Sequence, residues 1–539
     1  MLENYEDFTQ EQMQILDKYV TNTKQSIFVL KNLPEVIKGA LFSRYSRSTL
    51  GLRSLLLKEF IQNSDETYFD AISGANQNSD EQLLAIQKAQ SFYDRILDGY
   101  GDDSIGELGG AHIAIENISM LAAKAIEDAR IGGSPLEKST RYVYFDQKVR
   151  GEYLFYRDPI LMTSAFKNLY LDTCNMLFDT YAKLITPMTA FMEERFPKAP
   201  ETSKAAYAAA IRAKALDCLR GLLPASTLTN MGIFGNGRFY ENLLHRLSSN
   251  NLFEMQEIAK LAGDELHKVI PSFVRRANSE HKTHQQYAQY VENMEMELKS
   301  LAQAHEPFDD FKEPGVRLIS YDSESIYKVC AALLFPHSKK GLAELISYCK
   351  NLPEEELIRI LDGAAAFREN RRNKSPRALE NAVFTFEIIA DYGSYRDMHR
   401  HRMLTQERQN LSCSFGFYTP QEVEESNLGP QYRQTMEKAK EVYDFIAQEF
   451  PEEAQYIVPM AYNIRWYFTI NLRSLQWMCE LRSTPQGHPS YRQMAQQMAK
   501  EVFEAMPLYE RFFKFMDFEG YELGRLGQEQ RKAEKLGLE

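Results

Sequence analysis

Five cationic or protonatable side chains fall within seven residues at Arg396, His399, Arg400, His401 and Arg402. Charge at that density is costly unless solvent or anions screen it. Two readings compete: a solvated basic patch, or a clamp for phosphate or pyrophosphate, whose oxygens match guanidinium forks in bidentate geometry. A second group, Glu137, Ser139 and Arg141, puts a hydroxyl and a guanidinium on one face of an extended segment, where they could grasp a phosphate. The plain alternative is a capping serine beside a surface ion pair. A third pattern occurs twice: Pro224, Asn236, Arg238 and Arg246 return as Pro459, Asn471, Arg473 and Arg482, the prolines 235 residues apart (459 less 224). Asparagine at the head of a helix either caps it, the commoner role, or reads a purine edge.

Other chemistries find little support. His281-x-x-His284 has metal-ligand spacing, but Gln and Lys surround it and no third ligand is near, so no metal is expected. The six cysteines contain no CxxC pair, and neither Cys413 nor Cys479 has a base partner in sequence. No glycine-rich loop runs into Lys-Ser, which disfavours a P-loop nucleotidase.

The elements that must position these groups read as mixed helix and strand, an α+β fold. Apolar spacing predicts a helix over 113–129 and a strand over 142–145. Helices follow over 168–195, interrupted at Pro187, and over 204–222; a loop covers 224–229, and further helices span 238–247 and 252–269. Residues 279–299 read as a partly exposed helical connector and 316–321 as an opening strand, while 384–390 is either strand or buried helix. Helices over 432–450, 473–480, 490–504 and 508–516 precede a charged tail from 524 that is expected to fray. The repeat then suggests two tandem domains: a helical extension (1–94), a first domain (95–275), a helical connector (276–314) and a second domain (315–539).

Composition agrees with that plan. A chain of 539 residues exceeds what one hydrophobic core usually serves, and 44% hydrophobic with 26% charged residues is globular composition. The net charge of −12 argues against nucleic acid as partner, though a local arginine cluster can hold one phosphate. Apolar runs are too short for a bilayer, and the scattered thiols suit a reducing cytoplasm.

The runs His399-Arg400-His401-Arg402, Ser139-Thr140-Arg141-Tyr142 and Asn471 through Arg482 resemble segments of the flavin-dependent thymidylate synthase family, once per half over about residues 95–273 and 316–507. The resemblance implies FAD as cofactor, NADPH and methylenetetrahydrofolate as co-substrates, and reductive methylation of dUMP to dTMP in clefts built by several subunits. A fused pair that dimerises would imitate the family's homotetramer. Matched residue by residue, Glu137, Ser139, Arg141, Arg220, Arg246 and Arg400 would hold the nucleotide. Ser104, Glu107, Asn236, Arg238, Arg400, His401, Arg402, Asn471 and Arg473 would hold the flavin. Arg246, or Arg482 if the geometry swaps them, would polarise the pyrimidine.

Each half departs from the pattern in a different place. The first has Ala129-Arg130-Ile131 where the Arg-His-Arg triplet is expected, and Asp102 where a histidine is expected. The second has Asn410-Leu411-Ser412 in place of Ser-x-Arg, and Gln455 in place of Arg220. These complementary losses imply one composite cleft. The alternatives are a nucleotide- or flavin-binding regulatory homologue without turnover, and flavin-dependent methyl transfer to another uracil-containing substrate.

Overall fold

The computed structural model describes residues 7–46, 48–61, 106–305 and 312–537; Asp102 and Ser104 lie outside them. The chain divides into two compact units, of which only the second draws on both copies of the repeat. One comprises Met1–Glu116, Ala125–Glu137 and Asn230–Glu306, and the other Asn117–Lys124, Lys138–Thr229 and Pro307–Glu539.

The sheet of the first unit has the order β1-β3-β2, from Gly110–Ser119, Leu228–Asn236 and Gly133–Glu137 respectively. β2 runs antiparallel to β3, from Gly133↔Gly235 to Glu137↔Met231. The helix predicted over 113–129 is therefore corrected: β1 occupies its first half and only Met120–Glu127 is helical. His112 to Glu116 alternate between exposed and half-buried, the period-two pattern of a strand. Ile113 and Ile115 keep the strand period and Ile115 and Ile118 the helical one, and β-branching decided between them. β3 fills the stretch between the loop expected over 224–229 and the helix expected over 238–247, where no element was expected. It ends at Asn236, whose Oδ1 accepts from Phe239 N at 2.8 Å and caps the helix Gly237–Ser248. The helix Lys282–Ala304 is largely exposed, with His284 as its buried residue, and belongs to the first unit. A separate apolar cluster near the N-terminus gathers Leu16, Tyr19, Val20, Leu41 and Leu55.

In the second unit the order is β4-β5-β7-β6, from Gly315–Tyr321, Val383–Asp391, Asn463–Asn471 and Thr405–Arg408. Residues 384–390 thus resolve as strand, paired with β7 from Val383↔Asn471 to Asp391↔Asn463. β5, β7 and β6 repeat the order of β1, β3 and β2, and the register repeats too: Ser134 faces Phe234 as Thr405 faces Thr469.

Three further expectations fail here. Residues 142–145 leave a turn as irregular chain instead of forming a strand. Pro187 lies inside an unbroken helix, Lys167–Arg195, because the buried face of Tyr181 and Leu184 continues through Met188 and Met192 and holds both sides of the proline in line. The tail is not frayed either. Leu526–Leu536 is helical, buries Ala533 and packs on the helix Lys204–Leu219.

The repeated prolines meet each other. Pro224 and Pro459 form an antiparallel bridge, with Ala225 N donating to Val458 O and Met460 N to Leu223 O, both at 2.9 Å. Around them Met120 N bonds Thr227 O as Tyr392 N bonds Tyr462 O, each at 3.0 Å. Tyr156 N likewise bonds Ser226 O as Tyr418 N bonds Ala461 O. The acceptors in each pair are one repeat length apart, so the second unit contains a local two-fold relation between the halves.

Candidate functional site

Arg141 anchors one wall. It lies in the segment after β2 and meets Asp217, on the helix Lys204–Leu219, through Nε and Nη2 at 2.6 and 2.7 Å, while its Nη1 reaches Tyr491 Oη at 3.3 Å. Burial opposes ionisation of both partners. Their bidentate contact outweighs it, holding the Asp217 carboxyl well below the usual carboxylate range and Arg141 above its own. Ser139 Oγ accepts from Arg141 N at 3.2 Å and fixes the turn.

The opposite wall is the short helix Tyr392–Met398, capped by Asp391 through Ser394 N at 2.8 Å. It carries Arg396 and Asp397. Arg220 Nη1 donates to Asp397 Oδ2 at 3.4 Å. Burial would raise the Asp397 pKa, but Arg220, then Arg400, Arg141 and Arg482, hold it well below the usual range.

Arg482 arrives at the end of the helix Leu472–Arg482, which Asn471 caps through Ser474 N at 2.9 Å. Its Nε donates to His401 Nε2 at 3.0 Å, so this ring nitrogen is the acceptor and the imidazole is neutral. Burial, reinforced by the Arg482 charge, pushes the His401 pKa well below its usual value. Burial also lowers Arg482 somewhat, opposed by Asp397.

These walls enclose a cavity of about 290 Å³. The first half of the sequence contributes Ser139, Arg141 and Arg220, and the second contributes Arg400, Arg482 and Tyr491. Its lining holds seven cations, adding Lys138, Arg396 and Arg525, against one carboxylate, Asp397. Arg220 Nη2 is buried without a hydrogen-bond partner, as are Nε and Nη1 of Arg525. Such a surplus of desolvated donors is built for an anion.

A second cavity, about 610 Å³, adjoins Arg400, which lines both. His401, Arg402 and Arg473 also line it, with Lys374 and Arg372 as further cations and Ile470, Met403 and Trp477 as apolar surface. Its volume falls within the roughly 300–1,000 Å³ of small-molecule and cofactor sites. Cations beside an indole and aliphatic side chains suit a phosphate-bearing, flat-ringed ligand.

The predicted residues therefore divide. Ser139, Arg141, Arg220, Arg400 and Arg482 line the smaller cavity, and Arg400, His401, Arg402 and Arg473 the larger. Asn236 and Asn471 are helix caps. Glu137 closes β2 in the first unit, opposite Met231. In the same unit Arg238 pairs with Glu107 at 2.7 Å, and the exposed Arg246 donates to the Asp128 carbonyl at 2.7 Å. Ser104 lies outside the described residues.

Sequence reasoning missed Asp217, Asp397, Tyr491, Arg525 and Gln528. Asp397 had a signal, being an acidic residue inside a cationic run, and Asp217 lies three residues before Arg220. Nothing local marked the other three.

Among the described residues, no group of three or more His, Cys, Asp or Glu is placed to hold a metal. His281 instead caps its helix, and His284 Nδ1 meets His245 Nδ1 at 2.9 Å. All six cysteines are buried, and burial raises every thiol pKa, away from nucleophilic use. No helix among the described residues is long and apolar enough to cross a membrane.

Comparison with known proteins matches residues 60–272 and, separately, 317–508 to the family described as thymidylate synthase complementing protein. A UPF0159 protein of Chlamydia muridarum is 57% identical over 533 residues, covering 99% of this chain and 100% of that one. Another, from Thermoplasma acidophilum, is 34% identical over 527 residues, 93% of this chain and 99% of its own. A flavin-dependent thymidylate synthase of Helicobacter pylori is 29% identical over 163 residues, 26% of this chain and 74% of that relative.

Proposed function

The chain belongs to the thymidylate synthase complementing protein family, present as two copies in tandem, and from that premise we propose that it binds a uracil nucleotide beside a flavin in one composite cleft. The observation that carries this reading is the smaller cavity, where seven cations from both copies and the tail face one lining carboxylate. Arg141 and Arg220 would take the phosphate. The larger cavity would take FAD, with Arg400, His401, Arg402 and Arg473 as its holding residues. Domain limits of 95–275 and 315–539 for the two copies belong to the same reading, as does a homodimer carrying four such domains.

Bound flavin would supply reducing equivalents. The chain itself would orient the nucleotide and stabilise charge. Arg482 stands in the cavity with Arg141 and Arg220, its Nε fixed by neutral His401 at 3.0 Å. A guanidinium so held would favour negative charge on a pyrimidine oxygen and leave the ring carbon nucleophilic, while exclusion of water strengthens the interaction.

The observations carry binding furthest, including binding without turnover in a regulatory role. A second reading, reductive methylation of dUMP to dTMP with methylenetetrahydrofolate and NADPH, is favoured by Arg400 lining both cavities. Methyl transfer to another uracil compound would use the same arrangement. Titration with FAD, followed by absorbance, and then with dUMP by calorimetry tests the binding. Failure of both ligands to bind sinks the proposal. Binding of both with no dTMP formed from the full substrate set leaves the binding reading and removes the second.

A further inference from the structure

Arg525 lies beyond residue 508, where the second family match ends. It nevertheless lines the smaller cavity and is only 7% exposed. Its Nη2 stands 3.9 Å from Asp217 Oδ2, but both Asp217 oxygens already engage Arg141 at 2.6 and 2.7 Å. Its guanidinium lies 4.8 Å from the centre of the Tyr142 ring, and its Nε and Nη1 have no hydrogen-bond partner. A guanidinium stays charged at any ordinary pH, and unpaired buried N–H groups on a charge are expensive. An anion in the cavity would satisfy them.

The segment is held in place to do this. The helix Leu526–Leu536 starts directly after Arg525 and packs on Lys204–Leu219, the helix that carries Asp217. Gln530 Oε1 accepts from Ser203 N at 3.0 Å, and Gln528, one turn from Arg525, also lines the cavity.

We propose that the C-terminal segment is a ligand-binding clasp in which Arg525 contacts the phosphoryl group of the nucleotide, alongside Arg141 and Arg220. The proposal rests on the reading above for the nucleotide, though not for the phosphoryl anion. Binding of dUMP, deoxyuridine and inorganic phosphate to the wild type and to R525Q, measured by calorimetry on the full chain, tests it. R525Q is expected to weaken dUMP and phosphate by about 10- to 100-fold and to leave deoxyuridine unchanged. Equal affinities of wild type and R525Q for dUMP and phosphate overturn the clasp, as does an equal loss of deoxyuridine, which would mark a merely structural role. Wild type that binds phosphate but not dUMP, with R525Q binding neither, removes the nucleotide reading and keeps the clasp. A crystal structure of the wild type with phosphate decides the matter should R525Q not fold. A phosphate oxygen within hydrogen-bond reach of the Arg525 guanidinium supports the clasp, and one outside that reach overturns it.

Discussion

In the first copy the helix after β3 ends near Arg246, which donates to the Asp128 carbonyl; in the second the helix after β7 ends on Arg482, which donates to His401 and lines the cavity. The frames are alike: the same strand order, the same asparagine cap, and an ion pair between the following arginine and an upstream glutamate, Arg238–Glu107 and Arg473–Glu380, both 2.7 Å. The difference is one residue in the spacing from cap to arginine, which turns a side chain by about 100° around a helix. The loops diverge in the opposite sense. Arg220 of the first copy donates into the cavity wall, whereas Gln455 of the second spends its Oε1 on Leu411 N at 3.0 Å. Once two copies share a cleft, each needs to keep only the side chains that face it, and the rest drift into local capping and loop bonds.

The sharpest way to break that comparison is at Arg141. R141Q leaves Asp217 buried with its bidentate partner gone, and the expected loss of stability is about 3–5 kcal/mol in denaturant unfolding. The double variant R141Q/D217N should recover most of the stability and none of the nucleotide affinity. Q455A, at the equivalent of Arg220, removes the bonds of its amide to Leu411 N and to the Glu452 carbonyl, worth about 1 kcal/mol each, and should leave nucleotide binding untouched. Weakened binding in Q455A would mean that the second copy's loop still serves a ligand.

The helix-end arginines come next. If dTMP is formed, R482Q should lower kcat about 10²- to 10³-fold, the scale of losing one preorganised donor, while R246Q keeps the wild-type rate. A rate loss in R246Q with none in R482Q would exchange the roles of the two copies.

Much of this division was readable in the sequence, and the reasons are specific. Arg141 and Arg400 could be found from the residues beside them and Arg482 from its spacing to the repeated proline, which are local facts, while Arg220 was marked only by the family resemblance. The strand β1 could not, because Ile113 and Ile115 fit a strand while Ile115 and Ile118 fit a helix stripe, and the deciding partner, β3, lies far along the chain. Asp217 and Arg525 were hidden for the same reason: each matters only through contacts with residues distant in sequence. Pro187 misled because a proline's local preference gave way to the packed face on either side of it.

Acid should reveal a smaller contrast between buried histidines. Burial, then the neighbouring His284, pushes His245 down to about 4, and burial, then Arg220, pushes His488 down to about 3. Both are more easily protonated in the unfolded chain, near pH 6.5. The stability gained by keeping them neutral is thus fully present above about pH 6.5 and is lost as pH falls toward each folded value. Asp217 and Asp397 act at lower pH, their contribution being present above about pH 4 and lost below it. H245N should flatten the slope of stability against pH between 6.5 and 4, an effect on the order of 3 kcal/mol at most. An unchanged slope would show that His245 does not carry the acid sensitivity of the first unit.

The smallest effects belong to the matched ion pairs, and they ask whether equal geometry means equal use. Glu107 and Glu380 are each about half exposed, at 50% and 43%, so neutralising either should cost less than about 1 kcal/mol of stability. Arg473, unlike Arg238, lines the larger cavity and also donates Nε to Ser375 O at 2.8 Å, so E380Q leaves it placed but less neutralised. FAD affinity should then rise a few-fold in E380Q at low salt, fade toward wild type as salt screens the exposed charge, and stay constant in E107Q. Identical FAD affinities for E380Q, E107Q and wild type at low salt would detach Arg473 from the cofactor and leave both pairs as fasteners of the same duplicated frame.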